Sequence, residues 1–329
     1  MFSSWAIGAQ AANITELNLG FMGNLSLSYG AIAPNGTLVS GGGSGASAFS
    51  LFSSPFDALV ARAQKDGTAL FWDLESWDPM VNPTSDACIV AGNAWASEGW
   101  DRPALYDEYT DSLIRNVADK CANTIVILHN ADTRLVDGFL DHPNVTAVIF
   151  AHLPGQESGN ALVSLLYGDE NPSGRLPYTS DFTEGVYIDY RLLDAKNITP
   201  RFEFGFGLSY TKFEYANLQI SKSASSYAAY PTGAVAQGGR ADLWDVVATV
   251  TADITNAGDM DGKEVAQLYI GIPGSDVPVK QLRGFEKPLL KVGETTKVTF
   301  NLTRRDLSIW DVVAQEWLLR QGKYVVSWA

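Results

Sequence analysis

One carboxylate stands out among the residues that could do chemistry. In the stretch "NAWASEGWDRPAL", residues 93–105, Glu98 sits between Ser97 and Gly99, with Trp95 and Trp100 close by, directly after the apolar run "ACIVAG". A carboxyl beside aromatic rings is suited to holding a neutral sugar ring, and apolar surroundings raise its pKa toward that of a general acid. The plainer alternative is a solvated loop acid, or a helix N-terminal charge that Asp101 supplies equally well. Other chemistries find less support. The three histidines, His129, His142 and His152, have no partners at metal-ligand spacing, so no metal and no cofactor is expected. The "GGGSG" stretch lacks the Lys and Ser/Thr of a phosphate loop. Within it, Ser44 is followed by Gly45 and Ala46, without the final glycine of a serine-hydrolase elbow.

The bulk of the chain narrows the partners. With 329 residues, 46% of them hydrophobic and 11% aromatic, the chain can bury two domain cores. A net charge of −14 argues against nucleic acid as a partner and is compatible with a neutral substrate. No run reaches the roughly 18 apolar residues of a membrane span. Six Asn-x-Ser/Thr sequons, at Asn13, Asn24, Asn35, Asn144, Asn197 and Asn301, point to the secretory pathway and extracellular localisation. No Lys or Arg precedes the first apolar residues, so the N-terminus does not read as a signal peptide, and the true beginning is expected to lie upstream.

The elements that must position Glu98 follow from periodicity. Residues 1–44 are rich in Gly, Ser and Asn, show weak periodicity and read as an irregular remnant or linker, loops with short strands at most. Residues 45–179 alternate helices and buried strands. "SSPFDALVARAQKDG" has a Ser cap, an early Pro and a closing Gly, as a helix requires. "TALFWDL", "DACIVAGNA", "NTIVILHN" and "VTAVIFAHL" read as strands. "ALYDEYTDSLIRNVADKC", "TRLVDGFLDHP" and "QESGNALVSLLYG" read as helices. This alternation predicts a doubly wound, mostly parallel α/β sheet sandwich. Ligands bind beyond the carboxyl ends of such strands, which is where Glu98 falls. Cys88 and Cys121 lie at the other end, each at or just before a strand. They form a disulfide if those strands are neighbours, two buried thiols being the alternative. Residues 180–241 read as an irregular linker. Residues 242–329 show period-2 runs between turns and read as an antiparallel sandwich.

Nearly the whole chain resembles the C-terminal part of family 3 glycoside hydrolases, especially secreted fungal-type β-glucosidases. The resemblance rests on "VSGGGSGA", "NAWASEGWDRPALYDEY", "HPNVTAVIFAHLPGQESGNALVSLLYG", "NPSGRLPYT", "TPRFEFGFGLSYT" and "QLRGFEK". It implies an α/β domain followed by a fibronectin-type-III-like domain. It also implies that Glu98 is the general acid/base, that Trp100 lines the aglycone subsite and that Ser44 approaches the sugar. Asp101 and Arg102 recur in the motif and are expected to hold the loop. The substrate implied is a β-glucoside or oligosaccharide such as cellobiose, hydrolysed with retention by two carboxyl groups about 5 Å apart.

Members of the family carry the nucleophilic Asp in a (β/α)8 barrel, which needs roughly 200 residues or more and is not found in this sequence. The chain is therefore expected to supply half of a site and to be inactive alone. Two alternatives stay open: a non-catalytic carbohydrate-binding or interaction protein, and a subunit that complements a separate barrel chain.

Overall fold

The computed structural model describes residues 4–7, 37–46, 51–99, 102–178, 185–224 and 226–328. The chain divides into two compact units, Met1–Asp169 and Glu170–Ala329.

The first unit is built on five parallel strands: β1 (Ser4–Ile7), β2 (Phe71–Asp73), β3 (Cys88–Ala94), β4 (Thr124–Asn130) and β5 (Val145–Phe150). Their order is β2-β1-β3-β4-β5. β3 is buried along its full length, because both of its faces are covered. On one face, Ile89, Ala91 and Ile127 pack against Ala58 and Leu59 of helix α1 (Pro55–Asp66) and Leu162 and Val163 of α3 (Ser158–Leu166). On the other face lies α2 (Glu108–Ala118), so close that a Cβ on Gly92 would meet Thr110. The caps match the sequence. Ser54 accepts from the amide of Asp57 ahead of Pro55, and Gly67 closes α1 with a left-handed φ of 67°.

Three expectations need correcting. Residues 1–44 are not merely a remnant or linker, because β1 lies within them and is an inner strand of the sheet, between β2 and β3. A four-residue strand among Gly, Ser and Asn leaves too short a periodic signal to read. The segment "TRLVDGFLDHP" does not form a helix. It makes a single turn in which Leu140 N–H donates to Val136 O, with Val136 and Phe139 buried. Gly138 falls in the middle of that turn, against the Asp111 carboxylate, where a Cβ would clash. Finally, residues 180–241 contain regular structure: α4 (Tyr190–Lys196) and the ten-residue β6 (Phe213–Lys222). Exposed Leu218 and Ile220 and a register shift at Asn217, whose φ is 55°, break the alternation that would have marked β6 as a strand.

β6 belongs to the second unit, where it pairs with β7 (Val246–Asn256), which in turn pairs with β10 (Thr295–Thr303). A second sheet comprises β9 (Gln281–Glu286), β8 (Ala266–Gly271) and β11 (Val325–Trp328). The core between them holds Val250, Ile254, Leu268, Ile270, Val298 and Phe300. Every neighbouring pair is antiparallel, as the period-2 texture predicts.

At the amino end of the α/β sheet, Cys88 and Cys121 form a disulfide with Cα atoms 6.3 Å apart. β3 and β4 are neighbours, and that pairing brings the two cysteines together.

Candidate active site

The sheet order reverses direction between β1 and β3. In a parallel sheet the connections on either side of such a point leave in opposite senses and open a crevice at the carboxyl ends of the strands. β3 ends at Ala94, and Glu98 follows four residues later. The crevice is therefore where the topology delivers this carboxylate.

A second loop meets it there. Asn93, buried at the end of β3, accepts the amide of Leu38 at 3.1 Å through Oδ1 and so pins the segment that leads into Gly41–Gly45. Gly42 N–H donates to Ala96 O at 3.2 Å, and Gly42 bridges to Ser97. Both Gly42 and Gly43 are required by this close approach. A Cβ on Gly42 would lie 2.6 Å from the Trp95 ring, and one on Gly43 would lie 2.6 Å from Glu98 Cβ. Gly43 also has a φ of 70°, which a side chain would strain. The loop ends on Ser44, which gives two hydrogen bonds to Glu98 Oε2. The backbone amide donates at 2.9 Å and the hydroxyl donates a short one.

Glu98 and Ser44 are both exposed. The Ser44 hydroxyl and then the Ser44 amide hold the Glu98 carboxyl below its ordinary range, against a smaller opposing effect of desolvation. The raised pKa expected from flanking aromatic rings is thus not found: two donors on the anion outweigh desolvation on an open surface. Ser44→Ala removes the stronger donor, so the Glu98 pKa is expected to rise toward that of a free glutamate. Carboxyl-carbon NMR titration of the two proteins measures this, and an unchanged midpoint would show that the serine does not hold the acid.

Arg102 donates from Nη2 to the carbonyl of Thr133 and ties the Glu98 loop to the loop that follows β4. That second loop is anchored by a buried ion pair between Arg134 and Asp111, whose side chains are 1% and 4% exposed. Trp100 and Asp101 lie outside the described residues. Asn93 and the Asp111–Arg134 pair are not among the candidate residues read from the sequence. Both left a signal: an Asn inside the unbroken apolar run "CIVAGNA", and an Asp one turn into a helix whose neighbours are buried.

Residues 7–210 match the model of the glycosyl hydrolase family 3 C-terminal domain, and residues 264–329 match that of a fibronectin type III-like domain. A probable beta-glucosidase M of Neosartorya fischeri is 55% identical over an alignment 327 residues long that covers 91% of this chain and 42% of that protein. Beta-glucosidase cel3A of Pyricularia oryzae is 52% identical over 321 residues, covering 89% of this chain and 41% of its own length. The solved Beta-D-glucoside glucohydrolase of Trichoderma reesei superposes with a TM-score of 0.84 at 36% identity, covering 99% of this chain and 49% of that one. The chain thus spans about half the length, or less, of the relatives it matches.

Proposed function

Because the chain belongs to glycoside hydrolase family 3, whose C-terminal domain it carries over residues 7–210, we propose that it supplies the acid/base half of a retaining β-glucosidase site. The observation that supports this most is the placement of Glu98 at the strand-order reversal, gripped by Ser44. Ser44 engages only Oε2, so among the described residues Oε1 is left to exchange a proton. Glu98 protonates the departing glycosidic oxygen of a β-glucoside while a carboxylate on a barrel attacks the anomeric carbon. Glu98 then takes a proton from the water that hydrolyses the glycosyl-enzyme. Trp100 lines the aglycone side, and the Asp101–Arg102 pair holds the loop.

Two carboxyl groups about 5 Å apart would push each other's pKa up. Among the described residues no carboxylate acts on Glu98 in this way, its shift being set by Ser44 and desolvation. The purified chain is therefore expected to show no turnover of an aryl β-glucoside. Turnover that Glu98→Gln abolishes would overturn the half-site reading.

Secretion and glycosylation belong to the same proposal. Asn13, Asn24 and Asn35 lie outside the described residues. Of the other three sequons, Asn197 and Asn301 are exposed, whereas Asn144 donates its Nδ2, the atom a glycan would use, to Ala118 O at 2.8 Å. Chain secreted from a fungal host is expected to carry glycans at Asn197 and Asn301 and none at Asn144. Glycopeptide mass spectrometry reads this directly, and an occupied Asn144 would contradict it.

A further inference from the structure

The second unit contains a cavity of about 180 Å³ that the reaction above does not use. It is formed where α4 and the loop after it meet β8 and the start of β9. Tyr190, Phe204 and Tyr269 supply its aromatic wall, and Asp194, Glu203 and Lys280 supply its charges. The wall is rigid. Tyr190 packs on Phe204 with ring centroids 4.7 Å apart and edge-on to Tyr269 at 5.9 Å, and its hydroxyl accepts the amide of Leu282 at 2.8 Å. Tyr269 is buried and donates to Gln267 at 2.7 Å. Burial, then Tyr190, Asp194 and Glu203, push its phenol pKa up, so it stays neutral. The helix that carries Tyr190 and Asp194 starts from Asp189 at a φ of 58°, a strained conformation for a non-glycine residue.

The polar groups are only partly used. Asp194 Oδ2 is buried and accepts no hydrogen bond among the described residues. Lys280 Nζ stands 3.7 Å away, near enough for attraction but too far for a hydrogen bond, and 5.6 Å over the Tyr269 ring. A buried carboxylate oxygen in that state is costly unless something donates to it.

This lining selects one ligand chemistry. Two carboxylates disfavour an anion. Lys280 already occupies the position a cationic ligand would take. An apolar ligand would desolvate the Asp194–Lys280 pair and leave the buried Asp194 Oδ2 without a hydrogen-bond donor. A neutral polyhydroxylated ring meets all of them: its hydroxyls donate to Asp194 and Glu203 and accept from Lys280, and its C–H faces rest on the aromatic wall. The volume corresponds to about six waters at roughly 30 Å³ each, the scale of one small ring. We infer that this cavity is a second saccharide site, separate from Glu98, that takes a single pyranose. Asn197, which begins the sequon Asn197-Ile198-Thr199, is on its rim. The pyranose therefore has two sources: a free monosaccharide, or the first sugar of a glycan attached to the chain itself.

The test uses the full chain made without glycans and titrated with D-glucose and N-acetyl-D-glucosamine by calorimetry and ligand-observed NMR. Saturable binding is expected. Asp194→Ala should weaken it about 10-fold or more by removing a charge-assisted acceptor, and Glu98→Gln should leave it unchanged. Glu203→Gln gives a second, milder probe should the Asp194 variant fold poorly. Absence of saturation by about 100 mM sugar, or equal binding by wild type, Asp194→Ala and Glu203→Gln, would overturn the inference. The glycosylated chain separates the sources. If free sugar binds it as well, the ligand comes from solution. If binding appears only after Asn197→Gln, the chain's own glycan fills the cavity.

Discussion

Arg134→Ala is expected to destabilise the α/β unit by about 3–5 kcal/mol, the cost of stripping one partner from a buried pair. The two side chains are 1% and 4% exposed, so water cannot take the place of the guanidinium. Arg134 also donates to the carbonyls of Leu135 and Asp107, which lose their donor at the same time. Already in the wild type, burial raises the Asp111 pKa despite the pull of Arg134. Without the arginine the carboxyl rises further and folds protonated. The sign of the pH dependence follows. A group whose folded pKa is raised stabilises the fold below its unfolded pKa, about 3.9, and loses that contribution as pH climbs through the folded value. The penalty of Arg134→Ala should therefore be smallest near pH 4 and largest at neutral pH, as read by urea unfolding at several pH values. The double change Arg134→Met with Asp111→Leu should recover most of the loss, since an apolar pair of similar volume is often as stable as the ion pair it replaces. A pH-independent penalty would show that Asp111 is not left as an unpaired buried acid. The effect reaches the site as well, because the loop this pair anchors receives Arg102 through Thr133.

Glu98→Gln carries the largest expected kinetic effect. The form to measure is the chain joined to the N-terminal portion of a solved relative, so that both carboxylates are present. Hydrolysis of cellobiose should fall about 10²–10⁴-fold, the usual contribution of a positioned general acid. An aryl β-glucoside with a strongly acidic phenol needs no proton to leave, so its first step should be nearly unaffected. Its second step still needs the base, so the glycosyl-enzyme accumulates and kcat and KM should fall together. Equal losses for both substrates would assign Glu98 a structural or binding role instead.

How much of this was legible in the sequence depended on the length of each signal. β3 and β4 are unbroken apolar runs, and their neighbouring pairing decided between the disulfide and two thiols. α1 was legible from Ser54, Pro55 and Gly67, because each cap acts locally. β1 was hidden by its four residues, and β6 by the irregularity at Asn217. The turn at Val136–Leu140 shows the opposite error: Leu135, Val136, Phe139 and Leu140 repeat at helical spacing, yet a close contact at Gly138 limits the segment to one turn. Within the site, the motif around Glu98 was plain, but the direction of its pKa shift was not. That sign depends on Ser44, 54 positions away, arriving with two donors. Sequence distance conceals such a contact, and only the strand order that brings the two loops to one crevice reveals it.

The central claim, that Glu98 is the proton-transferring carboxylate and not the nucleophile, has a direct stereochemical test. Glu98→Ala in the joined enzyme is given an activated aryl β-glucoside and sodium azide. If Glu98 is the acid/base, a glycosyl-enzyme forms on the other carboxylate and azide attacks it without needing a base. Azide should then accelerate turnover and yield the β-glucosyl azide. An α-glucosyl azide would mean that azide had replaced a missing nucleophile, and no acceleration would mean that Glu98 transfers no proton; either result would contradict the claim.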